Sequence, residues 1–162
     1  MAVQLQGNLV KKAHKKIKYS DKMLADLAKC SDPDTGPMYF MENFLQIQHP
    51  TKGAIKFEPF KFQKNLVKNY HENRFSINML PRQTGKTTCA SAYLLWYAMF
   101  VPDSQILIAA HKYTGAQDIM NRFRYAYESV PDFIRPGIYS YNRNTIEFDN
   151  GSRVKATTTT EN

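Results

Sequence analysis

The side chains with the clearest chemical purpose are Gly85, Lys86 and Thr87, which stand between an alternating stretch and a long apolar one. A glycine lets the backbone approach phosphate oxygens, a lysine ammonium reaches the β- and γ-phosphates, and a threonine hydroxyl can ligate Mg²⁺. A helix that begins at Thr87 adds free N–H groups and the positive end of its dipole. These residues therefore predict a site for the phosphates of a nucleotide.

The surrounding elements decide whether the tripeptide is a binding motif or a chance match in an ordinary loop. Leu80 stands where the Walker A pattern G-x-x-x-x-G-K-[S/T] has its first glycine, which weakens the match. Residues 75–79 alternate apolar and polar side chains and predict a strand. Residues 87–101 are apolar almost all round and predict a helix buried in an α/β layer. A loop at such a junction favours nucleotide binding over chance.

Other segments predict the frame that must hold this loop. Further helices are expected after a Ser20 cap, from Pro37 to before His49, over 60–70, and from Thr114 to Val130 with Gln117 in a capping box. Extended segments are expected at 52–59, at 105–110, and in a hairpin of 145–148 with 153–156. The pattern predicts an α/β fold with a mostly parallel sheet flanked by helices and a helical segment in front.

Composition and apolar patterning agree with one folded domain. The chain has 162 residues, 43% of them hydrophobic, with 10 Phe, 10 Tyr and 1 Trp. Four aromatic positions are interpreted as core: Phe75, Trp96, Phe123 and Phe148. Cys30 and Cys89 have no metal-ligand spacing and are interpreted as reduced, intracellular thiols. No membrane span or secretory signal is predicted, because the longest apolar stretch is shorter than the roughly 20 residues that cross a bilayer.

Positive charge is concentrated at the N-terminus. The formal charge is +8, and residues 1–22 hold one acid, Asp21, against these lysines: Lys11, Lys12, Lys15, Lys16, Lys18 and Lys22. Such a block favours a solvated, mobile arm. The alternative is a polyanion partner, because each lysine that pairs with a phosphate releases counterions.

Four blocks of the sequence resemble the large terminase subunits of tailed phages, most closely their T-even-like myovirus branch. They are 80–88, where Arg82 and Gln83 precede Gly-Lys-Thr-Thr, and then 108–112, 130–138 and 146–152. Their order and spacing match over about residues 19–157. The resemblance implies a helicase-like P-loop NTPase fold and an ATP-driven motor that packages double-stranded DNA into the prohead.

The resemblance also implies a role for each loop residue. Lys86 and Thr87 would bind the phosphates of ATP and Mg²⁺, and Arg82 would act as a catalytic arginine on the γ-phosphate. From the residues alone, Arg82 is a solvated loop residue. Gln63 matches the glutamine that reads the adenine edge in helicase-like ATPases, since an amide donates and accepts at once; alone it would be a surface residue. The nucleotide site is completed by Gln83, Thr84, Gly85 and Thr88.

Several other polar residues have weaker signals. His111 and Lys112 follow a predicted strand, where translocating ATPases place nucleic-acid contacts, and an ordinary polar strand end is the alternative. Arg122 and Arg124 are interpreted as solvated residues of a helix.

A P-loop ATPase of this class also needs a later apolar strand that ends in an Asp for magnesium and a Glu that activates water. No such run follows Lys86, and Glu147 and Asp149 are expected to face solvent. The chain is interpreted as an N-terminal part of the ATPase domain, with weak nucleotide binding and negligible hydrolysis. Its expected parts are a basic arm (1–18), a helical lead-in (19–73) and the first part of the ATPase core (74–162), without the Walker B strand and the nuclease domain.

The implied partners are double-stranded DNA, a portal protein, a small terminase subunit and further copies in a ring, in the host cell cytoplasm. Three alternatives remain: a helicase-like P-loop ATPase, a non-enzymatic DNA-binding module with a vestigial P-loop, and a small-molecule kinase, for which no lid or acceptor-site signature is visible. Unwinding of a forked duplex would favour the first. DNA binding that is lost with the lysine arm and is insensitive to ATP would favour the second.

Overall fold

A computed structural model of the chain describes residues 10–49 and 51–159. The fold is α/β, with five helices and six strands in these residues. In chain order they are α1 (Asp21–Cys30), α2 (Gly36–Phe44), β1 (Gln46–His49), β2 (Gly53–Lys56), α3 (Lys61–Glu72), α4 (Lys86–Phe100), β3 (Gln105–Ala110), α5 (Tyr113–Ser129), β4 (Ile138–Tyr141), β5 (Thr145–Phe148) and β6 (Arg153–Thr158).

The helical lead-in contains a small hairpin that the sequence did not predict. Helix α1 begins as expected, because the Ser20 hydroxyl accepts a hydrogen bond from the Met23 N–H at 3.4 Å. Helix α2 ends at Phe44, earlier than expected, and β1 then pairs antiparallel with β2. Gly53, the first residue of β2 after the turn, has a φ of 73°, a conformation that glycine adopts without strain. The segment predicted as a simple extended connection is therefore half of a hairpin.

The main sheet is mixed, so the prediction of a mostly parallel sheet is wrong. Its order is β3-β6-β5-β4, and only β3 and β6 are parallel. Strands β5 and β6 form the predicted hairpin around Gly151, whose φ is 84°. Short connections force β4, β5 and β6 to run antiparallel, whereas the crossover through α5 allows the parallel pair.

Residues 75–79, predicted as a strand, lie outside every sheet that the structure describes. Phe75, Ile77 and Met79 are 82%, 94% and 93% exposed. The interpretation of Phe75 as core is therefore wrong, whereas Trp96, Phe123 and Phe148 are buried as predicted. Alternation favours an extended backbone, but a strand also needs a neighbour to pair with.

Helix α4 is the centre of the core, in contact with α2, α3 and α5, and α5 in turn packs on β3 and β6. Trp96 of α4 donates its indole N–H to the Cys30 carbonyl at 2.8 Å, which joins α4 to the end of α1. Cys30 and Cys89 are free and buried, and burial raises the pKa of Cys30 to about 12 and that of Cys89 to about 11. No helix of the described residues has both the length and the apolar character needed to cross a membrane.

The start of the described chain lies along the main sheet. Lys12 forms a parallel bridge with Ile138 of β4, and the Ile138 N–H donates to the Lys11 carbonyl at 2.9 Å. Lys11 is only 8% exposed and donates its ammonium to the Arg135 carbonyl at 2.6 Å, and burial lowers its pKa. Lys15 pairs with Asp132 at 3.1 Å. The expectation of a solvated, mobile arm is therefore wrong for Lys11; residues 1–9 of the arm lie outside the described residues.

Candidate functional site

The candidate site is the 80–88 loop, which ends in the first turn of α4. Gln83 and Gly85 have positive φ values of 63° and 76°, and Thr84 between them does not. Such alternation is typical of backbone nests, whose N–H groups converge on an anion. The Thr84 hydroxyl donates to the Pro81 carbonyl at 3.0 Å and closes the loop.

The first turn of α4 leaves backbone donors at the end of this loop. Gly85 caps the helix in the left-handed conformation, without a side-chain cap. The Cys89 N–H donates to the Gly85 carbonyl at 2.9 Å, which is the first backbone bond of the helix. The N–H groups of Lys86, Thr87 and Thr88 therefore have no partner within the helix, and they can bind an anion there.

Lys86, the first residue of α4, reaches back across the loop. Its ammonium donates to the Leu80 carbonyl at 3.1 Å, so its charge lies over the loop. The side chain is exposed, and an exposed neutral carbonyl is a partner that phosphate oxygens can replace. The ammonium and the free N–H groups of the helix are therefore donors that can bind the oxygens of an anion.

Gln63 contacts the loop directly, so the alternative of a surface glutamine is wrong. It is 6% exposed, its Oε1 accepts from the Phe60 N–H and its Nε2 donates to the Thr84 carbonyl, both at 3.0 Å. A Cβ added at Gly85 would lie 2.7 Å from the same Nε2. The structure thus brings Gln63 to the predicted phosphate site. Each amide atom retains one further hydrogen-bonding position, and adenine recognition stays a prediction.

The sequence did not predict the pair of exposed aromatic rings beside Gln63. Phe60 and Phe62 stack with ring centroids 5.9 Å apart and an interplanar angle of 7°. Both are exposed, although aromatic rings of this size are usually buried. The signal that could have indicated them is the placement of two phenylalanines just before a glutamine at the start of a helix.

The other predicted loop residues lie in the turn of the loop or in the first turn of α4. Arg82 and Gln83 are exposed in the turn of the loop, and Thr87 and Thr88 are half-buried in the first turn of α4. His111 and Lys112 are exposed after β3, where Lys112 caps α5. A catalytic role for Arg82 and nucleic-acid contacts at residues 111–112 remain predictions.

Two polar interpretations on and around α5 change. Arg124 is not a free solvated residue, because its guanidinium lies over the Tyr141 ring at 5.0 Å and donates to the Asn142 carbonyl. Gln117 does not form a capping box, since it is buried and its Oε1 accepts from Arg143 Nε at 3.1 Å. Glu147 pairs with Arg153 at 3.0 Å on the partly exposed side of β5. Arg122 is exposed, as predicted.

The fold and the site define an α/β protein in which a glycine-lysine loop opens a buried helix. A family model described as terminase large subunit, T4likevirus-type, N-terminal, matches residues 77–162. The match covers more than half of the 162 residues and includes the loop from Leu80 onward. The chain therefore belongs to this family of phage packaging terminases, and the resemblance seen in the sequence is confirmed.

Proposed function

We propose that the 80–88 loop binds the triphosphate of ATP together with Mg²⁺, as the start of a P-loop ATPase core. The observation that carries this proposal is the position of Lys86, whose ammonium crosses the loop at the open end of α4. Lys86 would bind the β- and γ-phosphates, Thr87 would ligate the metal, and the backbone around Gly85 would hold the remaining oxygens. Mg²⁺ would neutralise charge on the phosphoryl oxygens.

Two more residues extend this proposal. Arg82, exposed at the turn of the loop, would stabilise charge on the γ-phosphate, a contribution worth about 10³-fold or more in rate for arginines in such positions. Gln63 would meet the adenine edge with its remaining donor and acceptor positions. Its bond to the Thr84 carbonyl would then join recognition of the base to the shape of the loop.

In the packaging terminase, this ATPase would drive double-stranded DNA into the prohead. Its partners would be a portal protein and a small terminase subunit, its copies would form a ring, and it would act in the host cell cytoplasm. No apolar strand that ends in an Asp and a water-activating Glu follows Lys86 in the 162 residues. The 162-residue chain is therefore expected to bind ATP weakly and to hydrolyse it negligibly.

An equilibrium titration of the chain with ATP and Mg²⁺ tests the proposal. Lys86→Ala should weaken binding by about tenfold or more, because it removes a charge-assisted bond to phosphate. Lys22→Ala, at an exposed position on α1, is the matched control and should bind ATP as the unmodified chain does. Equal affinity of both variants would refute phosphate binding by the loop, and robust hydrolysis abolished by Lys86→Ala would refute the expected inactivity.

A DNA-binding module with a vestigial loop is the second candidate, favoured by the exposed Lys12, Lys16, Lys18 and Lys22. Deletion of the whole arm would also remove the buried Lys11, so replacing these four lysines by glutamine is the cleaner test. The hypothesis of a DNA-binding module is supported if this variant loses all DNA binding and if ATP does not affect DNA binding by the unmodified chain. ATP-dependent unwinding of a forked duplex would instead support a helicase-like ATPase.

A further inference from the structure

A cavity of about 580 Å³ opens between β1, α4 and α5. Of the 80–88 loop, only Thr88 is among the described residues that line it, and none of the lining residues belongs to α3. Among the described residues, the cavity therefore shares only Thr88 with the phosphate site, and Gly85, Lys86 and Gln63 do not line it. Its volume is in the range of small-molecule sites in proteins.

The wall formed by α4 contains a buried hydroxyl without a partner. Ser91 lines the cavity and is 2% exposed, and its Oγ has no hydrogen-bond partner in residues 10–49 and 51–159. An unpartnered buried hydroxyl is unfavourable, and a serine within a helix commonly avoids this by bonding to the carbonyl one turn earlier. A polar atom of a ligand in the cavity would supply the missing partner.

The remaining polar wall is rich in carboxamides. Gln46 and Gln48 come from β1, and Asn121 comes from α5. A carboxamide offers a donor and an acceptor side by side, which is how Asn and Gln recognise the edges of nucleobases. Tyr125, one turn after Asn121, adds a ring on which a base can stack.

Two charged residues of α5 complete the lining. Arg122 offers a guanidinium, the group that binds phosphate in two-pronged geometry. Asp118, one turn before Arg122, is the one acid among the described lining residues. A carboxylate accepts a hydrogen bond from an exocyclic amino group and repels a carbonyl oxygen.

We propose that this cavity is a second nucleotide site, which holds one unstacked adenine or cytosine nucleotide. The base lies against Asn121 and Tyr125 with its amino group toward Asp118, and the phosphate meets Arg122. Uracil and thymine are disfavoured, because they present a carbonyl where cytosine presents its amino group. A free nucleotide and one nucleotide of a single strand share this chemistry. The site does not depend on ATP binding at the 80–88 loop.

The test is a titration of the 162-residue Lys86→Ala variant, followed by NMR, with AMP, CMP, UMP and a five-residue oligodeoxyadenylate. AMP and CMP should bind, and UMP should bind about tenfold more weakly, since one mismatched polar group costs about that much. Tighter binding of the oligonucleotide than of AMP would identify a single strand as the natural source. Tighter binding of AMP would identify a free nucleotide.

Variants at the cavity locate the binding. Asn121→Leu should abolish binding of AMP. Arg122→Gln should weaken the binding of AMP about tenfold and leave the affinity for adenosine, which has no phosphate, unchanged. Arg74→Gln, exposed and outside the lining, removes the same charge and should have no effect. Ser91→Ala should weaken binding and should not lower the melting temperature of the free protein.

Three results would overturn the proposal. The first is the absence of binding by AMP, CMP and the oligonucleotide at millimolar concentrations. The second is binding that Lys86→Ala removes and Asn121→Leu retains, which would place the ligand at the 80–88 loop. The third is a lower melting temperature for Ser91→Ala, which would show that the hydroxyl already has a stabilising partner.

Discussion

The two segments that lead into α4 are adjacent in sequence and differ in how they are held. The 80–88 loop is tied by the Thr84 hydroxyl, by Lys86 and by Gln63. Residues 75–79 place their apolar side chains in solvent. The loop is specified by contacts within about 25 residues of chain, whereas the preceding segment needs a neighbouring strand that the described residues do not supply.

The largest expected effect is a loss of stability in the buried strand β3, compared with almost none in the exposed segment 75–79. Ile108→Ala in β3 should destabilise the protein by about 2–5 kcal/mol, because a buried isoleucine loses transfer energy and leaves a cavity. Ile77→Ala should change the free energy of unfolding by less than about 0.5 kcal/mol. Chemical denaturation measures both. A large loss for Ile77→Ala would show that residues 75–79 are packed.

The next effect tests the backbone of the loop. Gly85→Ala should destabilise the protein by more than about 1–2 kcal/mol and weaken ATP binding, since an added Cβ strains the left-handed backbone and meets Gln63 at 2.7 Å. Gly53→Ala has the same strain, with a φ of 73°, but no atom within 4 Å of the new Cβ. If both variants lose equal stability, the contact of the added Cβ with Gln63 does not contribute to the loss at Gly85.

A smaller effect is expected at Gln63 itself. Gln63→Leu keeps the approximate size of the side chain and removes its bonds to Phe60 and Thr84, which should cost about 1–3 kcal/mol. Hydrogen exchange should accelerate at residues 84–88 more than in α5. Gln105→Leu, at an exposed position of β3, is the control and should leave exchange in the loop unchanged.

The smallest effect concerns the thiols beneath the loop and at the end of α1. The pKa values of Cys89 and Cys30 are raised from 9.0 to about 11 and about 12 by burial, so the folded protein retains protons that the unfolded chain releases. The protonated thiols thereby stabilise the folded state. This stabilisation is complete below pH 9 and declines as the pH rises from 9 toward 12. Denaturation at pH 8, 9 and 10 should show the decline. A Cys30→Ala, Cys89→Ala double variant should flatten it.

The sequence predicted features that depend on near neighbours. The Ser20 cap, the burial of α4, the limits of β3 and the hairpin around Gly151 all follow from local chemistry. Strand pairing depends on residues distant in sequence, so neither the mixed sheet nor the exposure of Phe75 could be predicted.

The same limit applies to the candidate site. The position of Lys86 follows from a short motif, but the burial of Gln63 against the loop is a tertiary contact across 21 residues. The aromatic pair of Phe60 and Phe62 was not predicted either, because hydrophobicity alone assigns phenylalanine to a core.

The contact of Lys12 with Ile138 determines how the main sheet could be extended. One border of the sheet, β4, already has the N-terminal segment alongside it, and its backbone is bonded there. The opposite border, β3, has no neighbour on its outer side in the described residues. An incoming strand, from a second copy or from another chain, can therefore pair along the whole length of β3, whereas at β4 the N-terminal segment already pairs at Ile138. An open border of this kind is where edge-to-edge pairing between chains begins.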